Sequence, residues 1–321
     1  MSIDRSTIWP YVDGEPGEFL YSRYDHPTGV AAERKLAVLE GAPDGQALLF
    51  ASGSAATTSL LLALLEPGRK VALAEGGYFG TGVIMREELG RWGLECVEFD
   101  QTGPPPDGVD LIWLEAPSNP FLTMPDLAAA ATHPAKVVVD STAATPVHLR
   151  PLEHGADLVL HSATKYLAGH SDALAGAVVS RDPADHERLW QFRQRTGPTC
   201  AADVAALVSR GLKTLRVRVE RQTETARDLV ERLRSHPAVA NVRYPGFGGL
   251  LSFDVAGDPL PVERALRLIR NATSLGGVDS TLESRHRWEG DRVPVGLLRL
   301  SVGLEDADEL WADLAQALAA A

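Results

Sequence analysis

Asp157-Leu-Val-Leu-His161-Ser162-Ala-Thr164-Lys165-Tyr-Leu-Ala-Gly169-His-Ser-Asp172 is the stretch on which the reading of this chain turns. An apolar run of strand length ends in a polar cluster that holds one lysine, with Ser162 and Thr164 just ahead of it. Open α/β sheets place their functional groups just beyond the carboxyl ends of buried strands. A lysine held there can lose its proton and serve Schiff-base chemistry, and neighbouring hydroxyls can bind a phosphate. On spacing alone, a solvated lysine after a strand is the commoner arrangement, so the surrounding sequence has to decide.

Six more short apolar runs flank this one, at 47–50, 70–74, 96–99, 111–114, 136–139 and 175–179. Their length and their Val, Leu and Ile content suit strands covered on both faces of a mostly parallel sheet. Segments between them, such as 55–65 and 82–92, have helical length and spacing, which predicts crossover connections and an α/β sandwich. From about 201 to 235 runs a long helical pattern rich in Arg, Glu and Leu, stopped by His236-Pro237. Strand-like runs at 239–244 and 250–255, a helix near 262–270, a strand at 297–302 and a closing helix over 306–318 read as a smaller αβ portion. Residues 1–30 carry Pro10, Gly14, Pro16, Gly17, Pro27 and Gly29 and read as an extended arm. The expected division is an arm over 1–30, a large α/β domain over 31–215 and a C-terminal αβ domain over 216–321.

Composition narrows the function classes. The 321 residues are 45% hydrophobic and 23% charged, ordinary for a globular protein. A net charge of -12, from 31 Lys and Arg against 43 Asp and Glu, argues against a nucleic-acid partner. Cys96 and Cys200 cannot build a disulfide framework in a chain this long. The opening MSIDRSTIWP is polar and acidic where a secretion signal needs an apolar run, and no apolar stretch reaches the ~18 residues of a membrane span. The expectation is a cytoplasmic protein without membrane contact or metal centre.

Four other segments carry chemistry. Val137-Val-Val-Asp140-Ser141-Thr142 sets a carboxylate at the end of an apolar strand, where it can hold a ring nitrogen protonated or simply cap a turn. Ala51-Ser52-Gly53-Ser54-Ala55-Ala56-Thr57 is a small-residue strand-to-helix junction, whose free amides suit an anion. Glu115-Ala-Pro117-Ser118-Asn119-Pro120 follows a further strand. Leu298-Arg299-Leu300-Ser301 puts an arginine inside an apolar strand, which is costly unless a carboxylate pairs with it.

The run Ser162-Ala-Thr164-Lys165-Tyr-Leu-Ala-Gly169-His-Ser-Asp172 resembles the lysine signature of the pyridoxal-5'-phosphate (PLP) enzymes of cysteine and methionine metabolism. The resemblance continues in order along the chain. It includes Tyr21-Ser22-Arg23 with Pro27-Thr28, Ser52-Gly53-Ser54-Ala55-Ala56, Tyr78-Phe79-Gly80-Thr81, Pro117-Ser118-Asn119-Pro120 and Asp140-Ser141-Thr142. Gly211-Leu-Lys-Thr-Leu215, Ser274-Leu-Gly-Gly277 and Arg299-Leu-Ser-Val-Gly303 complete it. It implies the fold-type I architecture: a large, mostly parallel seven-stranded sheet domain with a smaller αβ C-terminal domain.

By the same resemblance, Lys165 bonds PLP and Asp140 pairs with its pyridine nitrogen. Tyr78 stacks on the ring, Asn119 lies near its 3'-oxygen or the substrate, and Thr142 belongs to the cofactor set. Gly53, Ser54, Ser162 and Thr164 hold the phosphate. Tyr21 and Arg23 complete a neighbouring subunit's site, which implies a homo-oligomer, a tetramer built as a dimer of dimers. Arg299, helped by Ser274, binds the α-carboxylate of an amino-acid substrate, with Thr273 in the distal part of the site. The implied activity is that of a carbon–sulfur lyase like cystathionine γ-lyase. The alternatives are γ-replacement, as in cystathionine γ-synthase or an O-acylhomoserine sulfhydrylase, or PLP binding without turnover. The chain departs from its relatives at Thr273, where Glu is usual, at Val83, where Arg is frequent, and at Leu20, which is acidic in some members. Those changes predict a less charged distal pocket.

Overall fold

The structure, a computed structural model, describes residues 3–42 and 46–320. Residues 1 and 2 of the expected arm, residues 43–45 and Ala321 at the C-terminal end lie outside them. The larger sheet has seven strands: β1 (Ala47–Phe50), β2 (Lys70–Ala74), β3 (Glu95–Phe99), β4 (Leu111–Glu115), β5 (Lys136–Asp140), β6 (Leu158–His161) and β7 (Gly176–Ser180). Their order is β1-β7-β6-β5-β4-β2-β3, and β7 alone runs against the rest. All seven expected strands are present, their ends shifted by no more than a residue.

The sheet is covered on both faces except at the partly exposed edge strand β3, which is why its other strands read as apolar runs. Along β4 the pleat sends Leu111 and Trp113 into one cluster with Phe50 and Leu60, and Ile112 and Leu114 into the opposite one with Val137 and Val139. Four parallel strands thereby end on one edge, where β1 leads to Ser52, β4 stops at Glu115, β5 at Asp140 and β6 at His161.

A second sheet, in the order β10-β11-β12-β9-β8, joins β8 (Val239–Arg243), β9 (Leu250–Val255), β10 (Arg270–Asn271), β11 (Thr281–Ser284) and β12 (Leu297–Ser301). It packs through Leu251, Phe253, Leu298 and Leu300 against the helices Leu215–Arg234 and Ala307–Leu318.

Three expectations need correction. The long helical pattern at 201–235 is two helices, Ala202–Leu212 and Leu215–Arg234. The Gly211 carbonyl is claimed by the Thr214 amide at 3.1 Å and by Arg218 Nη2 at 2.9 Å, so the ladder breaks at Lys213-Thr214. The helix expected near 262–270 is Leu260–Ala265. Beyond it the carboxylate of Asp313 gathers the amides of Arg267, Leu268 and Ile269 at 2.8–2.9 Å, and that hold leads the chain into β10. The segment at 82–92 is not one α-helix but an α-turn, Phe79–Val83, a π-turn, Ile84–Glu88, and a 3-10 turn, Gly90–Trp92.

Candidate active site

A cavity of about 370 Å³ opens where the strand ends of the large sheet meet the loops of the small one. Lys165, on the turn after β6, is its centre. The Lys165 amine donates to the Ser274 hydroxyl at 2.6 Å. Burial pulls the ammonium from the usual lysine range down to about 8, and the nearby Arg299 guanidinium adds to the shift. Ser274 is held with φ of 91°, a backbone region that a non-glycine residue adopts only when its surroundings impose it. Those surroundings are Arg299, whose Nη2 donates to the Ser274 carbonyl at 2.8 Å, and Lys165.

On the floor, Asp140 at the end of β5 accepts the Thr142 amide at 3.0 Å and the Thr142 hydroxyl at 2.5 Å on one oxygen. Burial pushes its carboxyl up. Among the described residues no cation forms an ion pair with it. A half-buried carboxylate facing a cavity under those conditions fits a protonated ring nitrogen. Thr142 also accepts the Ser162 amide at 2.8 Å, tying the β5 and β6 turns together.

The phosphate cradle is the start of the helix Gly53–Leu64. Ser52 caps it by accepting the Ala55 amide at 3.0 Å, and the first-turn amides of Gly53 and Ser54 have no helical acceptor ahead of them. A Cβ on Gly53 would meet Ser162 Cβ and Oγ at 3.1 Å, so glycine lets the two strand-end loops close around an anion. The Ser162 and Thr164 side chains line the same wall. The residues present therefore fit PLP at three points: amine, ring carboxylate and phosphate turn.

Arg299 projects from β12, 3% exposed. It donates to Asn119 Oδ1 at 2.9 Å and to Glu283 Oε1 at 2.5 Å, and burial followed by the charge of Arg285 pulls it down to about 10. Glu283 is its antiparallel partner on β11. The Glu283 Oε1 also accepts Arg285 Nη1 at 2.9 Å and the Thr273 hydroxyl at 3.3 Å, and its Oε2 accepts Trp288 Nε1 at 3.1 Å. Tyr78 lines the cavity half-exposed, its amide bonded at 2.6 Å to Glu115 Oε2. Glu115 sits beside Asp140 in the sheet, and burial together with that neighbour pushes it well above the usual carboxylate range.

Nine of the eleven cofactor and catalytic candidates named from sequence line the cavity: Lys165, Asp140, Thr142, Tyr78, Asn119 and the phosphate set Gly53, Ser54, Ser162 and Thr164, with Thr273, Ser274 and Arg299 opposite. Tyr21 and Arg23 lie elsewhere. The Arg23 guanidinium sits 5.2 Å from the Tyr21 ring centroid and 5.1 Å from that of Tyr24, and donates to the Gln194 carbonyl of the same chain. Of the three positions expected to make the distal pocket less charged, Thr273 lines the cavity and Val83 and Leu20 do not, while a buried Arg285 stands in its wall. Sequence reading missed Glu283, Arg285 and Trp288 because their stretch, Glu283-Ser-Arg-His-Arg-Trp288, is charged like a solvated turn. Glu115, expected just beyond a strand and given no role there, is the last residue of β4, opposite Asp140 on β5.

Comparison with known proteins bears on this geometry. The family described as Cys/Met metabolism PLP-dependent enzyme matches residues 3–319. An L-methionine gamma-lyase of Pseudomonas putida is 38% identical, over 96% of this chain and 87% of that protein. A cystathionine gamma-synthase of Mycobacterium tuberculosis is 36% identical, over 96% of this chain and 88% of its own length. The crystal structure of a cystathionine gamma-lyase from Lactobacillus plantarum complexed with L-serine superposes with a TM-score of 0.94 at 30% identity, covering 99% of this chain and 93% of that one.

Proposed function

Since this chain belongs to the family of Cys/Met metabolism PLP-dependent enzymes, we propose that it catalyses γ-elimination on a sulfur-containing amino acid, releasing a thiol, 2-oxobutanoate and ammonia. The observation that carries the reading is the Lys165 amine, desolvated and bonded to Ser274, in one cavity with Asp140 and Arg299. PLP, when bound, supplies an electron sink for negative charge developing beside the substrate's α-carbon. Asp140 keeps its ring nitrogen protonated, and the Gly53 and Ser54 amides with the Ser162 and Thr164 hydroxyls hold its phosphate.

Arg299 grips the substrate α-carboxylate, with Asn119 and Glu283 fixing the guanidinium. The Lys165 amine would be the base that takes the proton from Cα and moves one at Cβ. Its depressed proton affinity suits that task at a pH near neutrality. The C–S bond at Cγ then breaks, and the sulfur leaves as a thiol with a proton relayed through the Tyr78 hydroxyl. Water consumes the remaining unsaturated amine to give 2-oxobutanoate and ammonia. A second nucleophile in place of this route gives γ-replacement, and the likeness to a cystathionine gamma-synthase favours that as the second reading.

The proposal extends to assembly and place: a cytoplasmic homotetramer in which Tyr21 and Arg23 complete a second copy's phosphate site. It is supported by their position away from this chain's own cavity. No helix among the described residues is long and apolar enough to cross a membrane. The test is a panel of sulfur amino acids on purified holoenzyme, scoring 2-oxobutanoate, pyruvate and free thiol. 2-Oxobutanoate with thiol is the expected result. Pyruvate alone, replacement products alone or a bound cofactor with no product would each overturn the γ-elimination reading.

A further inference from the structure

Trp288 and Leu174 expose 54% and 63% of their surface, yet both line the cavity that holds Lys165. The cavity therefore runs from a buried amine to the protein surface, and its outer wall is apolar, with Phe79 and Ile84 completing it. One charged residue stands in that wall. Arg285 donates from Nε and Nη2 to Glu289 Oε1 at 3.0 and 2.8 Å, and from Nη1 to Glu283 Oε1 at 2.9 Å. Its guanidinium also lies 5.8 Å from the Phe79 ring centroid. A guanidinium matched by two carboxylates and packed on a ring offers a ligand a flat surface rather than an unpaired charge. Glu283 cannot receive a ligand's ammonium in turn, because both its oxygens are engaged, by Arg299, Arg285 and Thr273 on one side and by Trp288 on the other.

We infer that this wall is a distal subsite for a bulky, uncharged sulfur substituent, aromatic or branched aliphatic, and that Trp288 is its specificity-determining residue. The inference rests on the γ-elimination reading above. A ring on the substrate sulfur offers apolar area to cover the exposed faces of Trp288 and Leu174, and a methyl group offers little. An ammonium and carboxylate at the distal end lose water against this wall without new partners to replace it.

Holoenzyme compared on S-benzyl-L-homocysteine and L-cystathionine tests this, with kcat/KM from thiol release and affinity from spectral titration of the bound cofactor. The expected result is at least a tenfold preference for the benzyl compound in both measures, reduced at least tenfold in Trp288→Ala and lowered in Leu174→Ser, with cofactor retained. Equal or better handling of cystathionine overturns the subsite. So does an unchanged ratio in both variants, including the case where sedimentation shows Trp288→Ala weakening assembly, which would give Trp288 to a second copy. Titration separates the two claims: a chain that ranks the benzyl compound first but releases no thiol loses the γ-elimination reading and keeps the subsite.

Discussion

Lys165 is one of five lysines, the others being Lys35, Lys70, Lys136 and Lys213. What sets it apart is its environment, desolvated and facing Arg299 across Ser274, whose hydroxyl accepts from Lys165 and whose carbonyl accepts from Arg299. Its amine is therefore free base above about pH 8 rather than above the usual lysine range, and the unprotonated form is the one that captures an aldehyde. Rates of PLP uptake by the apo-chain, followed by absorbance, are expected to rise with pH through about 8 and level off there. A rate still climbing toward pH 10.5 would contradict the shift. At the opposite side of the site, Glu283 acts through Arg299 without reaching the substrate's reacting atoms. Glu283→Gln keeps the shape but removes the charge that fixes both arginines. KM should rise about tenfold, equivalent to ~1.4 kcal/mol, with kcat nearly unchanged, because the grip on the α-carboxylate is the same in ground and transition states. An equal fall in kcat with no change in KM would show that Glu283 does something other than position Arg299.

At the scale of elements, the strands of the large sheet other than β3 were legible because burial on both faces turns each into a short apolar run, while the edge strand β3 stays partly exposed and shows only Cys96, Val97 and Phe99. The loops after β1, β5 and β6 were legible because the site needs small and polar residues there whatever the rest does. What the sequence hid was made by contacts between elements. Nothing in Lys213-Thr214 announces a helix break, which arises when Arg218 reaches back to the Gly211 carbonyl. Nor does Thr281–Ser284 look like a strand, since its buried Glu283 makes sense only against Arg299 on β12. Close approaches between elements follow the same logic. A Cβ on Gly176 at the start of β7 would stand 2.1 Å from the Ser52 carbonyl oxygen, so β7 can lie against the phosphate turn only with glycine. Gly176→Ala should destabilise the fold by ~1–3 kcal/mol and loosen PLP with it, measured by denaturant unfolding and cofactor dissociation. A variant as stable as wild type with unchanged retention would mean the turn moves freely.

At the scale of the whole molecule, the site is a seam. The large sheet contributes the lysine, the ring carboxylate and the phosphate turn, the small sheet contributes Arg299 and Glu283, and the outer wall is shared, with Phe79, Ile84 and Leu174 from the first and Trp288 from the second. The arm lies along the large portion, with Arg5 paired to Asp203 and Asp25 accepting from Trp190 at 2.6 Å. Tyr21 and Arg23 remain outside this chain's cavity. Deleting residues 1–25 should therefore weaken PLP retention and assembly together, and a fully active monomer in ultracentrifugation would refute their role in a partner's site. Whether Lys165 bonds the cofactor can be read directly. Holoenzyme is reduced with borohydride, digested, and the pyridoxyl adduct located by mass spectrometry among the five lysines. The expected result is a single adduct on Lys165, lost in Lys165→Ala along with turnover while the fold persists. An adduct on Lys35, Lys70, Lys136 or Lys213 in the wild-type protein, or turnover surviving in Lys165→Ala, would contradict it.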